Sequence, residues 1–240
     1  MTHATRRERG EFADVAAWVE PAPGRTPVNR EQLLREAMAL VEDGGFDGLT
    51  MRRLAARLGV QAPSLYNHLR DKAELLALLA DAISGEVREI DPERPWREQL
   101  EAVARDYRRV LLAHRDGARV LAATPPLGPH RLQAIEQVLA LFCRAGFAAA
   151  DAVDAAFVFN SYVVGFVLDE TQAQLGGDLS AAELQEQARR WYGALPPERY
   201  PRLIAMADYL FDASLARRFE FGITTLLDGL ELRLTRRGPS

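Results

Sequence analysis

Between Asn29 and Lys72 the chain reads NREQLLREAMALVEDGGFDGLTMRRLAARLGVQAPSLYNHLRDK, and this stretch constrains the fold more than any other. The spacing predicts three short helices. Asn29 followed by Gln32 is a capping-box start for the first, and the Gly44-Gly45 pair stops it. Thr50 caps a second helix, with Leu54, Ala55 and Leu58 facing inward, and Gly59 makes the turn. Gln61 opens a third helix that runs to Leu69, anchored by Val60, Leu65 and Leu69. Its outer face is left with Ala62, Pro63, Ser64, Tyr66, Asn67 and His68. A bracing helix, a tight turn and a helix with a small, polar outer face are the parts of a helix-turn-helix, whose second helix enters a major groove.

The chemistry of the outer face agrees. Small side chains at the start of the third helix let the backbone approach bases. Ser64 and Asn67 can pair with base edges, and Tyr66 and His68 can donate to phosphate. Thr50, Arg52 and Arg53 open the second helix, where amides and guanidinium groups suit phosphate. Lys72, the single lysine among 30 basic residues, adds a point charge at another helix start. Residue by residue, a plain three-helix unit with a solvated polar face explains as much; it is the combination that points to DNA. The net charge of −4 hides this, because residues 25–72 hold eight Lys and Arg against six Asp and Glu, a small local excess of base.

The rest reads as helix throughout, without strand-like alternation. Asp71 with Glu74 opens a helix running to about Arg88, and the Asp91–Pro95 segment breaks the chain. Helices follow over Trp96–His114, roughly 116–123, 129–145 and 149–174. Ser180 with Glu183 caps the next, prolines 196, 197 and 201 interrupt it, and a last helix spans about 213–234. The domain reading is an arm over 1–27, a DNA-binding head over 28–73 and a helical ligand-binding and dimerisation body over 74–236. The arm contains Pro21, Pro23, Gly24 and Pro27, with Arg6, Arg7 and Arg9 available for phosphate; a solvated tail is the alternative.

The sole cysteine, Cys143, excludes a disulfide framework and a multi-cysteine metal site. No segment reads as long and apolar enough to span a bilayer, and the basic start lacks an apolar signal core. A soluble, cytoplasmic protein without membrane attachment is expected. Four scattered histidines, His3, His68, His114 and His130, supply no metal or catalytic spacing, so no enzyme, cofactor or metal is expected.

The segment GFDGLTMRRLAARLGVQAPSLYNH (45–68) resembles the DNA-binding domain of the TetR family of bacterial transcriptional regulators. The blocks WREQL (96–100), YRRVLLAHRDGARV (107–120), CRAGF (143–147) and GFVLDE (165–170) resemble the body of the family's tetracycline-responsive members. The resemblance implies an all-helical homodimer that binds a palindromic double-stranded operator and leaves it when a small-molecule effector is bound. It places Arg52, Ala62, Pro63, Ser64, Tyr66, Asn67, His68 and Lys72 at DNA-contacting positions. It also places Val103, Tyr107, Leu121, Pro125, Gln137, Ser161 and Asp169 at or near effector-binding positions. There the chain departs from the pattern. Leu121 stands where a metal-binding histidine is expected, Val103 for an asparagine, Ser161 for a histidine and Asp169 for a glutamate. The implied effector is therefore a largely apolar molecule other than magnesium-tetracycline. Tyr162 and Phe166 are pocket candidates or plain core aromatics. Two-helix dimerisation is expected from Ala152, Ala155, Ala156, Phe159, Val163 and Val167, with the stripe Ile223, Leu226, Leu227 and Leu230.

Overall fold

The computed structural model describes residues 29–91, 93–174, 181–210 and 214–237. The 1–27 arm and the Ser180 cap lie outside the described residues. Every regular element among those described is helical: α1 (Arg30–Gly48), α2 (Met51–Arg57), α3 (Ala62–Leu65), α4 (Lys72–Ser84), α5 (Trp96–Ala113), α6 (Gly117–Ala122), α7 (Pro129–Arg144), α8 (Ala149–Gln174), α9 (Ala181–Gly193), α10 (Pro201–Ala205), α11 (Ala207–Leu210) and α12 (Leu215–Arg237).

Capping chemistry sets the starts. Asn29 Oδ1 accepts from the Glu31 amide at 3.0 Å, Thr50 Oγ1 from the Arg53 amide at 3.2 Å, and Asp71 Oδ1 from the Glu74 amide at 2.9 Å. α1 breaks at Gly45, whose φ of 68° lies in the left-handed region. Two helices are shorter than the sequence predicts. The reading helix is regular only over Ala62–Leu65, then closes in turns that return the His68 and Leu69 amides to the Leu65 carbonyl. Asn67 and His68 favour such turns over helix, and the chain must reverse before the Asp71 cap. α4 stops at Ser84 rather than Arg88: the Glu86 and Val87 amides close in tight turns onto the Ile83 and Ser84 carbonyls, and Gly85 lies against the His130 ring, where an added Cβ would sit 3.0 Å from it.

The buried apolar residues form one continuous cluster from Leu33 in the head to Leu227 in the last helix. α4 carries that continuity: Leu75, Leu76, Leu79, Ala80 and Ile83 are all buried, and the helix packs on α1, α5, α6 and α7. Head and body therefore share a core through one helix.

Two expectations about α8 need correction. Its stretch Ala149–Gln172 is long and apolar enough to cross a membrane by length and composition, contrary to the sequence reading. The helix is nonetheless built into the core against α5, α6, α7 and α12, and buried Glu170 pairs with Arg108 at its far end. The apolar residues read as a dimer face are the second correction. Ala152, Ala155, Phe159, Val163, Val167, Ile223 and Leu227 are buried within the single chain. α8 is packed along its inner faces by four helices, so the side chains left outside are different ones: Val153, Phe157 and Val158 on α8, and Phe221 and Leu232 on α12.

Candidate nucleic-acid interface and effector cavity

α2 and α3 are positioned by Leu54, Ala55, Leu65 and Leu69, all buried, around the left-handed Gly59 (φ 68°). This leaves Arg52, Arg53, Gln61, Pro63, Tyr66 and Asn67 exposed and Ala62, Ser64, His68 and Lys72 half-buried along one surface. Thr50 sits at its edge as the α2 cap. The eleven residues named from sequence are thus brought together.

The charge pattern of the head is selective. Arg35, Arg57 and Arg70 are neutralised by Glu31, by Glu36 with Asp43, and by Glu74. Arg52 has no carboxylate partner among the described residues. Arg53 donates to the Gly48 carbonyl at 2.8 Å, and Lys72 lies 5.4 Å over the Phe46 ring, so both are held by neutral groups rather than by carboxylates. Among the described residues of the head, the cations without a carboxylate partner include Arg30 at the start of α1 and Arg52, Arg53 and Lys72 at the starts of α2 and α4, beside helix N-termini that themselves favour anions.

Behind the head the body holds a part-open cavity of about 450 Å³ between α4, α5, α6, α7 and α8, whose lining includes the exposed Val153 and Phe157. Val103, Tyr107 and Leu121 line it. Gln137, Ser161, Tyr162, Phe166 and Asp169 do not. Ser161 and Asp169 are on the outer side of α8. Tyr162 donates to the Phe219 carbonyl at 2.8 Å and stacks with Phe166 and Phe219 in a separate aromatic cluster. The walls are mainly apolar, with Val87, Ile135, Val138, Leu139 and Phe159 among them. Polar groups are few: Ser84, Thr124, Asn160, Arg131 and the Tyr107 hydroxyl, which donates to Asn160 Oδ1 at 3.3 Å. Burial pushes the Tyr107 phenol up to about 12, with Arg131 opposing. Arg131 and Asn160 were missed in the sequence, where an arginine near a helix start and an asparagine in an apolar helix carry no signal of facing inward.

Between cavity and head lies a contact that the sequence also does not reveal. α6 has Leu121 and Ala122 in the cavity wall and is preceded at its N-cap by Asp116, a non-glycine residue at φ 54°. That strained backbone aims the Asp116 carboxylate at the head, where Oδ2 accepts from the Phe46 amide at 2.7 Å. Gly45 is needed there twice, for its φ of 68° and because an added Cβ would sit 2.8 Å from the same carboxylate oxygen. Arg115 Nη1 donates to the Glu42 and Asp43 carbonyls at 3.0 Å each, and Arg119 pairs with Asp47 while lying 4.4 Å over the Phe46 ring. His114 hydrogen-bonds Glu86 at 3.0 Å, a helix-end role.

Known proteins match both parts of the chain. Residues 33–79 fit the model for bacterial regulatory proteins of the tetR family, and residues 90–234 fit that for the tetracyclin repressor-like C-terminal domain. The class A tetracycline repressor of transposon 1721 from Escherichia coli is 38% identical over 87% of this chain and 93% of its own. Among solved structures, ActR of Streptomyces coelicolor in complex with actinorhodin superposes with a TM-score of 0.76 at 31% identity, covering 86% of this chain and 96% of that one. BioQ with its double-stranded DNA operator superposes at 0.62 and 29% identity, covering 85% and 98%. An all-helical chain with a helix-turn-helix head and a helical body is the architecture these proteins share, and the chain belongs to the TetR family of ligand-responsive, DNA-binding transcriptional regulators.

Proposed function

We propose that this regulator is a cytoplasmic homodimeric repressor that sits on a palindromic operator and is released by a small, largely apolar effector other than magnesium-tetracycline. The head over 28–73 reads DNA, and the body over 74–236 holds effector and partner. The observation that carries the reading is the pairing of two features: uncompensated cations around Thr50–Lys72, and an apolar cavity whose wall includes the helix latched to that head.

In this reading α3 enters the major groove with Ala62, Pro63 and Ser64 foremost, Tyr66, Asn67 and His68 flank the groove, and Arg52, Arg53, Gln61 and Lys72 serve backbone and edge contacts. Two heads reach successive groove faces when held about 34–36 Å apart. The outward Phe157, Val158 and Phe221 suit the surface that fixes this spacing, since large exposed apolar side chains on two adjacent helices seek a partner. The effector class follows from the walls: no His, Cys, Asp or Glu is among the lining residues, so the anionic and imidazole ligands that would best hold a chelated metal are missing from that lining, and Leu121 offers only apolar contact. An effector that spreads the cavity moves α6 and the end of α4, and both bear on the head.

Footprinting of the purified chain on DNA flanking its own gene, across a salt series, tests this. A protected palindrome, lost in an Arg52→Ala/Tyr66→Ala double variant, is the expected result; binding to all sequences alike would reject the operator reading.

A further inference from the structure

The cavity contains one charged side chain, Arg131, and no carboxylate among its lining residues. Arg131 is held firmly by one end of its guanidinium. Nη1 donates to Thr124 Oγ1 at 2.8 Å, and to the Thr124 and Pro125 carbonyls at 3.2 Å each. Nε and Nη2 donate to nothing among the described residues. Those two nitrogens form the edge of the fork that matches a carboxylate in two parallel hydrogen bonds. Burial lowers the guanidinium below its ordinary value, with Tyr107 and Asp81 opposing, yet arginine stays charged at any physiological pH. A fixed cation with its bidentate edge unused, in a mainly apolar wall, is a costly arrangement for a purely apolar ligand site.

We propose that the effector is an anion, an acidic oxygen group such as a carboxylate on an apolar body, and that Arg131 is the residue that reads it. The inference rests on the effector-cavity reading above and narrows it. Tyr107 and Asn160 lie in the same wall and suit a hydroxyl or carbonyl elsewhere on the molecule. Arg131 is also placed to pass the event on. Its own amide donates to Asp81 Oδ1 at 3.0 Å, and Asp81, buried on α4, holds His130 Nδ1 through its other oxygen at 2.9 Å. The side chain that meets the anion is thereby tied through its backbone to the helix joining body and head. Gly128 keeps α4 and α7 this close, since an added Cβ would collide with the Asp81 carboxylate.

The test uses two fluorescent probes with the same body, 1-anilinonaphthalene-8-sulfonate and its neutral counterpart N-phenyl-1-naphthylamine, titrated into the full chain at constant ionic strength. Leu121→Trp fills the cavity and should weaken both probes, which places them there. Arg131→Gln should weaken the sulfonate about ten-fold or more while leaving the neutral probe within about two-fold. Arg131→Met, which keeps the apolar stem, should do the same and stands in if the Gln variant misfolds by circular dichroism. An unchanged preference for the sulfonate in both variants, with Leu121→Trp still blocking both probes, overturns the anion reading and leaves the cavity intact. Probes indifferent to Leu121→Trp overturn the cavity reading, and this proposal with it.

Discussion

Replacing Asp116 by alanine tests the α6–head latch directly. The carboxylate accepts from the Phe46 amide at 2.7 Å in a half-buried setting, a charge-assisted bond worth about 1.5–3 kcal/mol. Its loss should lower the free energy of local opening at Phe46 by that amount and speed its hydrogen exchange by about 10- to 150-fold. Alanine adds a second cost, because φ at this position is 54° and a left-handed alanine is disfavoured by about 1–2 kcal/mol. Asp116→Gly removes the hydrogen bond without that strain, so it should be the milder variant by about the same 1–2 kcal/mol. Arg119→Ala is the contrasting control. Its ion pair with Asp47 is exposed on both sides, 46% and 79% by side chain, so the electrostatic part should be under about 1 kcal/mol. Exchange measured by mass spectrometry on peptides spanning Leu40–Leu49, with thermal unfolding alongside, reads all three. Phe46 exchange unchanged within about two-fold in Asp116→Ala would refute the latch, and equal losses in the Ala and Gly variants would refute the strain component.

Arg52→Ala should weaken operator binding across all sequences and reduce the slope of log affinity against log salt by about 1, read by fluorescence anisotropy. Phe157→Asp places a charge on the outward face of α8 and should shift sedimentation of the chain toward monomer without loss of helical signal. Tyr107 makes a pH prediction. Its folded value is raised from 10.0 to about 12, so its contribution to stability is complete below about pH 10 and is lost as pH rises toward 12. The full gap is worth about 2–3 kcal/mol, and Tyr107→Phe should remove that part of the alkaline decline in denaturant midpoints.

The helical elements were legible because their signals are local. Thr50, Asp71 and Gly45 act within three or four residues of where they stand, and each does in the structure what its spacing predicts. The reading face was legible for the same reason, since it is whatever Leu54, Leu65 and Leu69 do not bury. The cavity was only partly so. Apolar spacing on a helix says that a stripe is covered but not by what, and for α8 the covering is α5, α6, α7 and α12 rather than a second chain. That single ambiguity moved Phe159, Val163 and Ile223 from the expected dimer face into the core, and left Phe157 and Phe221 unremarked on the outside. Tyr162 followed the same logic, its hydroxyl satisfied by the Phe219 carbonyl 57 residues away. Arg131 and Asp116 act through partners 50 and 70 residues away in sequence, which no local pattern encodes.

The shortness of α6 bears on how a weakly held ligand can control a head on the far side of the chain. Its six residues span less than two turns, roughly 9 Å, with the cavity lined at one end by Leu121 and Ala122 and the head gripped at the other by Asp116. In the proposed mechanism a segment this short takes up little displacement along its length, so a ligand that needs room beside Leu121 strains the Asp116 bond. The energies are of matching size. One charge-assisted hydrogen bond of about 1.5–3 kcal/mol lies in the range of typical coupling between sites, about 1–3 kcal/mol, so in the proposed mechanism this contact is of the right size to shift operator affinity about ten-fold or more. A much stronger latch would demand more differential binding energy than a ligand of this cavity's size readily supplies, and a much weaker one would leave the head indifferent to the cavity's contents.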